Sequence, residues 1–175
     1  VNANRHDQRA LDLEMLTRMA ELIEINALHL TAGLCWLRCL HQRPIMQPLR
    51  EMQEAVAAIT KTLTGRYVEP ALLANPHEET RRAVEHYVRV ECMAFHSPDM
   101  VRLNAEKILS VPELTPDYRK ENPVKYHVNQ IAHFPDVVAM LEAAALLDPA
   151  ERDAQLAHIM DERRCQLVEK ECGAG

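Results

Sequence analysis

The chain has 175 residues and a formal net charge of −6, so it is long enough to bury a core and poorly suited to non-specific binding of nucleic acid. Its four glycines, Gly33, Gly65, Gly173 and Gly175, form no glycine-rich loop, which argues against P-loop and dinucleotide-binding folds. Aromatic residues make up only 4% of the chain, so the core must consist mainly of aliphatic side chains and methionine, a mixture that favours helices.

The cysteines indicate a reducing compartment. There are five of them, an odd number, and their spacing shows neither a disulfide framework nor a Cys-x-x-Cys zinc signature. The first seven residues are mostly polar, so we expect no signal peptide there. We therefore expect a cytoplasmic protein with buried free thiols.

Residues 7–41 contain no proline and are predicted to form one long helix. Up to Glu24 one face is plainly polar, whereas the segment 25–40 is apolar on almost every face. A membrane span is rejected because charged residues, Arg38 among them, fall inside the apolar stretch. The segment 25–40 has more apolar circumference than one partner helix covers, so we predict a homodimer, or another homo-oligomer, that associates through it.

His29 is the first candidate for a binding site. Its neighbours in sequence are apolar, and burying an unpaired imidazole is costly, so His29 needs a hydrogen-bond partner or a ligand. A satisfied core histidine is one interpretation. The other is a small-molecule pocket within the bundle that is bordered by Asn26, His29, Cys35 and Trp36.

The rest of the chain reads as further helices. A second helix is predicted over 48–64, ending at Gly65 and folding back antiparallel on the first. Five capping residues each precede a proline, a combination that marks a helix start. They are Asn75-Pro76, Ser97-Pro98, Thr115-Pro116, Asn122-Pro123 and Asp148-Pro149.

These starts predict helices over 76–95, 98–110, 123–133, 135–147 and 149–172, and no stretch of six or more residues has the alternation of a strand. We therefore predict an all-α bundle of six to seven helices. It forms a single domain, 1–175, with a possible subdivision into a helical hairpin, 1–65, and helical pairs, 75–173.

Two stretches that share Pro-Asp-x-Val, at 97–109 and 134–146, each follow a predicted helix. A helix, a tight turn and a second helix opened by Pro-Asp resembles one unit of a HEAT-like helical solenoid. Solenoids normally stack three or more units, and the sequence offers two, so we do not assign the family.

Three residues of the last predicted helix are candidates for a metal site. His158, Asp161 and Glu162 lie at i, i+3 and i+4, so they share one helix face and could supply half of a metal site. On a helix this charged, the same three residues are typical of a solvated surface. No His-Glu-x-x-His motif is present. We expect no resident metal and no cofactor.

Arg81 and His86 resemble the motif of HEPN ribonucleases, an arginine followed by four to six residues and a histidine. The resemblance implies that Arg81 and His86 take part in cleaving RNA at the 2′-hydroxyl. The asparagine that often follows the family's arginine is Arg82 here. Roughly two such spacings are expected by chance in a chain of this composition, and Arg152 with His158 is a second one.

Taken together, the sequence favours a non-enzymatic helical protein that acts in protein–protein interaction or regulation, of bacterial, phage or plasmid origin. Its partner is another protein, and membrane or nucleic-acid binding is not expected. The alternatives are a HEPN-like ribonuclease using Arg81 and His86, and a bundle that binds a small ligand or metal around His29 or His158.

Overall fold

The computed structural model describes residues 8, 10–12, 14–15, 18–19, 22–63, 65–111 and 122–173. Over these residues the chain is mostly helical and carries one small three-stranded sheet. The predicted helical character is therefore confirmed, whereas the expectation that the chain lacks strands is wrong.

The elements that position the candidate sites follow in chain order. They are α1 (Ala27–Leu40), β1 (Met46–Pro48), α2 (Leu49–Thr62), α3 (Pro70–Ala74), α4 (Pro76–Arg89), β2 (Met93–Ser97), β3 (Met100–Leu103), α5 (Ala105–Ile108), α6 (Pro123–Ile131), α7 (Pro135–Leu146) and α8 (Pro149–Gly173).

The predicted continuous helix over 7–41 is interrupted. Residues 8, 10–12, 14–15 and 18–19 are helical, but 22–26 are not, and α1 begins only at Ala27. The break has a tertiary cause. The backbone N–H of Ile25 donates to the carbonyl of Tyr67 at 2.8 Å, and the N–H of Glu69 donates to the carbonyl of Ile25 at 2.9 Å. This pairing holds Ile25 in an extended conformation that a helix cannot contain.

The second predicted helix is confirmed as α2, and Gly65 adopts the expected left-handed conformation with φ of 72°. Its packing differs from the prediction. Helix α2 touches α1 but makes its most extensive contacts with α4, while α1 packs mainly against α6 and α7. The expected two-helix hairpin is therefore not the main packing unit.

The prediction of helices over 76–95 and 98–110 is wrong for the residues between Arg89 and Ala105, which form a β-hairpin. Helix α4 ends at Arg89, Glu91 adopts a left-handed conformation with φ of 61°, and β2 and β3 then form an antiparallel hairpin. Strand β1 pairs with the other edge of β3. Val101 and Leu103 are buried while Arg102 is exposed, which is the alternation of a strand. Strand β3 has only four residues, so it escaped a search for alternation over six or more.

The HEAT-like similarity does not correspond to a repeated structural unit. Residues 97–109 contain the hairpin turn at Pro98, strand β3 and the short helix α5, whereas 134–146 contain α7. Three other predicted starts are confirmed, because Asn75, Asn122 and Asp148 each accept hydrogen bonds from backbone N–H groups of the first helical turn. The start at Thr115-Pro116 lies outside the described residues.

Helix α1 lies at the centre of the molecule. One hydrophobic cluster joins it to α2, α7 and α8, and a second joins it to α4, α5 and the sheet. Gly33 lets α7 approach closely, since a Cβ there would lie 2.6 Å from Leu141 Cδ1. The basis for an oligomer interface over 25–40 is therefore wrong, because this chain covers most of that segment itself. Among the described residues, no helix is long and apolar enough to cross a membrane.

Candidate functional site

Three histidines and a tyrosine meet where α1, α4 and α6 pack together. They are His29 on α1, His86 and Tyr87 on α4, and His127 on α6, with Gln130 one turn further along α6. The His127 ring lies 5.7 Å from that of His29, 5.9 Å from that of Tyr87 and 6.3 Å from that of His86, measured between centroids. We call this group the histidine cluster.

His29 is fixed in the cluster by three hydrogen bonds. Its own backbone N–H donates to the Asn26 side chain at 3.1 Å, and the backbone N–H of Asn26 donates to His29 Nδ1, also at 3.1 Å. Because Nδ1 accepts, the ring proton is on Nε2, which donates to Gln130 Oε1 at 2.8 Å. The pair forms a capping box in which histidine stands in the position usually held by glutamate or glutamine.

Tyr87 links the other two helices. It is fully buried, and its hydroxyl donates to the carbonyl of Leu28 at 2.9 Å. The same oxygen lies 2.8 Å from His127 Nδ1. With the hydroxyl proton donated to Leu28, His127 Nδ1 is the donor to Tyr87. The His127 ring also hydrogen-bonds to the backbone of Pro123, at the start of its own helix.

The cluster favours neutral imidazoles. Burial lowers the pKa of His29, and the hydrogen bond to Gln130 opposes this only in part. Burial also lowers the pKa of His127, with the neighbouring His29 adding to the effect. The pKa of His86 is lowered by burial and by the positive charge of Arg89. Protonation of any of the three would place a charge in a confined space beside other rings.

This arrangement can do two things chemically. A neutral His127 oriented by Tyr87 can accept a proton, and His86 beside it can exchange one, the requirements of acid–base chemistry. The same bonds also tie α1 to α4 and α6, so protonation would weaken the fold. Among the residues that the structure describes, no group of three or more potential ligands is placed to hold a metal ion.

The structure separates the residues predicted to border one pocket. Asn26 and His29 belong to the histidine cluster. Cys35 is buried and lines a different cleft, between α2 and the α7–α8 junction. Trp36 packs under the ammonium of Lys125, whose Nζ lies 4.0 Å from the ring centroid. The four side chains therefore do not surround a common space.

The HEPN-like pair is also separated. Arg81 and His86 both lie on α4, but five residues turn them about 140° apart around the helix. His86 instead has His127 as a close neighbour. His158 Nε2 lies 3.3 Å from Glu162 Oε1 on α8, with both side chains more than half exposed, and Asp161 is exposed on the same helix. This is the geometry of a solvated pair.

A second feature lies at the N-terminal end. All of the described residues from 8 to 19 are exposed, although they are helical. Leu11, Met15 and Met19 recur every four residues, and they and Leu22 are each at least 60% exposed. We call these four the N-terminal apolar stripe. Glu14 and Arg18 flank it and form an ion pair at 2.7 Å.

Comparison with known proteins adds no assignment: no family model, no curated protein and no solved structure matches the chain. The candidate sites therefore depend on their own geometry.

Sequence reasoning missed His127, Tyr87 and Gln130. One signal was available, because Asn26-x-x-His29 has the spacing of a capping box and could have placed both a helix start and the His29 tautomer. No signal could have linked Tyr87 to His127, since 40 residues separate them and their contact depends on how α4 and α6 pack.

Proposed function

We propose that this chain is a non-enzymatic helical interaction protein that acts as a homodimer through the N-terminal apolar stripe. The observation that supports the proposal is the exposure of Leu11, Met15 and Met19 on a helical segment, and of Leu22 in the turn after it; all of the described residues of that segment are exposed. Burial of a side chain of this size contributes about 1.5–3 kcal/mol, and an isolated helix of three turns is only marginally stable in water. A partner helix would stabilise it.

The charges beside the stripe favour a second copy of the chain as that partner. In an antiparallel helix pair, residues on one flank meet residues on the same flank of the other helix. Glu14 and Arg18 lie one turn apart on the same flank. A two-fold axis between them places Glu14 of each copy near Arg18 of the other, which gives two reciprocal ion pairs.

Sedimentation equilibrium of the full chain tests this proposal. We expect a reversible dimer at about tens of micromolar, and a monomer when Met15 and Met19 are both changed to Glu. Leu40→Glu is the matched control, because Leu40 is 51% exposed but lies at the C-terminal end of α1, whereas the stripe precedes its N-terminal end. That variant should dimerise as the wild type does. A wild type that is strictly monomeric would contradict the proposal.

A charge exchange tests the register. Glu14→Arg alone and Arg18→Glu alone each place like charges across the proposed axis, so both should weaken the dimer. The double variant restores opposite charges and should recover most of the affinity. Recovery would not be expected if the stripe bound some other protein, because that partner would not change its own charges.

The second candidate function is acid–base cleavage of RNA, and the contact between His86 and His127 favours it. One neutral imidazole would take the proton of the 2′-hydroxyl as its oxygen attacks phosphorus, and the other, once protonated, would give a proton to the departing 5′-oxygen. In this candidate function, His127 takes the second role that the HEPN resemblance implied for Arg81.

An RNA cleavage assay distinguishes this candidate from the first. His86→Ala and His127→Ala should each abolish cleavage, with His96→Ala, an exposed histidine on β2, as the control. A wild type that leaves a varied set of RNAs intact would exclude the ribonuclease. The dimer proposal would be unaffected by that result.

A further inference from the structure

A small cleft opens between α1, α2 and the junction of α7 with α8. It has a volume of about 210 Å³ and is distinct from both the histidine cluster and the apolar stripe. Its walls mix apolar side chains such as Leu34 and Met52 with charged ones. This combination is typical of a site for a small polar ligand, and the volume is below the roughly 300–1,000 Å³ of sites for drug-sized molecules.

Arg38 lines the cleft with one edge of its guanidinium unused by the protein. Nη1 donates to the carbonyl of Ala145 at 3.1 Å, whereas Nε is buried and has no hydrogen-bond partner among the described residues. Nε cannot be reached from the cleft, so a ligand would bind Arg38 through Nη2, which makes no hydrogen bond with the residues that the structure describes. Hydrogen bonds from a charged guanidinium to a carboxylate are about twice as strong as neutral ones, so an acceptor at Nη2 would be favourable.

The desolvation of Arg38 favours an anion beside its guanidinium. Burial lowers the pKa of Arg38, and the nearby carboxylate of Glu51 acts in the opposite direction. A bound carboxylate would offset the desolvation of the guanidinium.

Glu51 is the charge that complements Arg38 across the cleft. It lines the same space but forms no ion pair with Arg38 or with any other residue that the structure describes. The other charged groups of the cleft are engaged. Glu54 pairs with Arg50 at 2.9 Å, Arg152 pairs with Asp153 at 2.9 Å, and Asp148 caps α8.

We propose that this cleft binds a small zwitterion of the amino-acid type, with its carboxylate on Nη2 of Arg38 and its ammonium directed at Glu51. A ligand carrying only an anion would leave Glu51 unpaired and would face its negative charge. A ligand carrying only a cation would leave Arg38 Nη2 without an acceptor. A compact molecule with both charges satisfies both groups within the available volume.

Isothermal titration of the full chain with matched probes tests this inference. The zwitterions are glycine, β-alanine and 4-aminobutyrate, which differ in the distance between their two charges. Butyrate and butylamine are the single-charge controls for the longest. We expect one zwitterion to bind at least about tenfold more tightly than either single-charge control. Absence of binding by all three zwitterions at about 10 mM, or equal binding of butyrate, would overturn the proposal.

Two variants test which residue binds each charged end of the ligand. Glu51→Gln and Arg38→Gln should each reduce the affinity about tenfold. Arg43→Gln is the matched control, because Arg43 also donates to a carbonyl at the end of α7, that of Leu146 at 3.0 Å, but does not line the cleft. If Arg38→Gln fails to fold, Glu51→Gln still tests the proposal, because Glu51 is exposed and its substitution should leave the fold intact. Unchanged affinity in Glu51→Gln would overturn the proposal.

Discussion

Asn26 and His29 exchange hydrogen bonds, each at 3.1 Å, so that a titratable ring forms part of the cap that starts α1. The acceptor on the ring is Nδ1, which can accept only while it carries no proton. Protonation of that nitrogen would point an N–H at the backbone N–H of Asn26. The start of the central helix is therefore coupled to pH.

We expect the free energy of unfolding to fall as the pH is lowered from about 7.5 to about 5. The folded protein lowers the pKa of His29, His86 and His127 below their usual value, so between the two values the unfolded chain binds more protons. Their contribution is complete above the unfolded pKa and is lost as the pH falls toward the folded pKa. Urea denaturation at a series of pH values measures the slope.

His29→Gln should make that slope shallower. Glutamine at this position can still accept from the N–H of Asn26, as in an ordinary capping box, but it does not titrate. His96→Gln, at an exposed histidine on the hairpin, is the control and should retain the wild-type slope. Equal slopes for the wild type and His29→Gln would show that the cap does not sense protonation.

Tyr87→Phe should destabilise the protein by about 1–3 kcal/mol, because it removes the buried hydroxyl that hydrogen-bonds to both the Leu28 carbonyl and His127 Nδ1. Tyr126→Phe is the matched control, since Tyr126 is 56% exposed on the neighbouring helix. It should change the stability by less than about 0.5 kcal/mol. Chemical denaturation measures both, and similar values for the two variants would contradict the buried network.

Asp136 holds two arginines from distant parts of the chain. Arg66 contacts both of its carboxylate oxygens, at 2.6 and 3.3 Å, and Arg163 Nε lies 3.1 Å from Oδ2. Asp136→Asn should cost about 2–4 kcal/mol, because it removes the negative charge that both arginines contact at a partly buried site. Asp153→Asn removes an ion pair at a carboxylate that is 63% exposed and should cost less than about 1 kcal/mol. Thermal unfolding separates the two, and a small loss in Asp136→Asn would refute this role.

Gln42→Gly should stabilise the protein by about 0.5–1 kcal/mol. Gln42 has φ of 53° just after α1, a left-handed conformation that favours glycine. His41→Gly is the control, because His41 has φ of −91° and gains nothing from a glycine. That variant should be destabilised by added freedom in the unfolded chain. A loss of stability in both variants would mean that Gln42 makes a contact worth more than its backbone strain.

The sequence alone predicted the helices that begin with a side chain capping the first turn. Asn75, Asn122 and Asp148 each accept from backbone N–H groups a few residues away, so the sequence alone contains both partners of the bond. Gly65 is predictable for the same reason, since its left-handed conformation depends on the lack of a side chain.

Tertiary structure decided the conformation of residues whose hydrogen-bond partners lie far away in the sequence. Ile25 leaves the helix because its backbone pairs next to Val68, and Ser97-Pro98 becomes a hairpin turn because β3 also pairs with β1. The same holds for the histidine cluster. The sequence shows its three histidines only as separate residues. The packing of α1, α4 and α6 decides which rings meet and which nitrogens carry the protons. Periodicity and capping describe a few neighbouring residues, whereas these contacts span 40 to 101 positions.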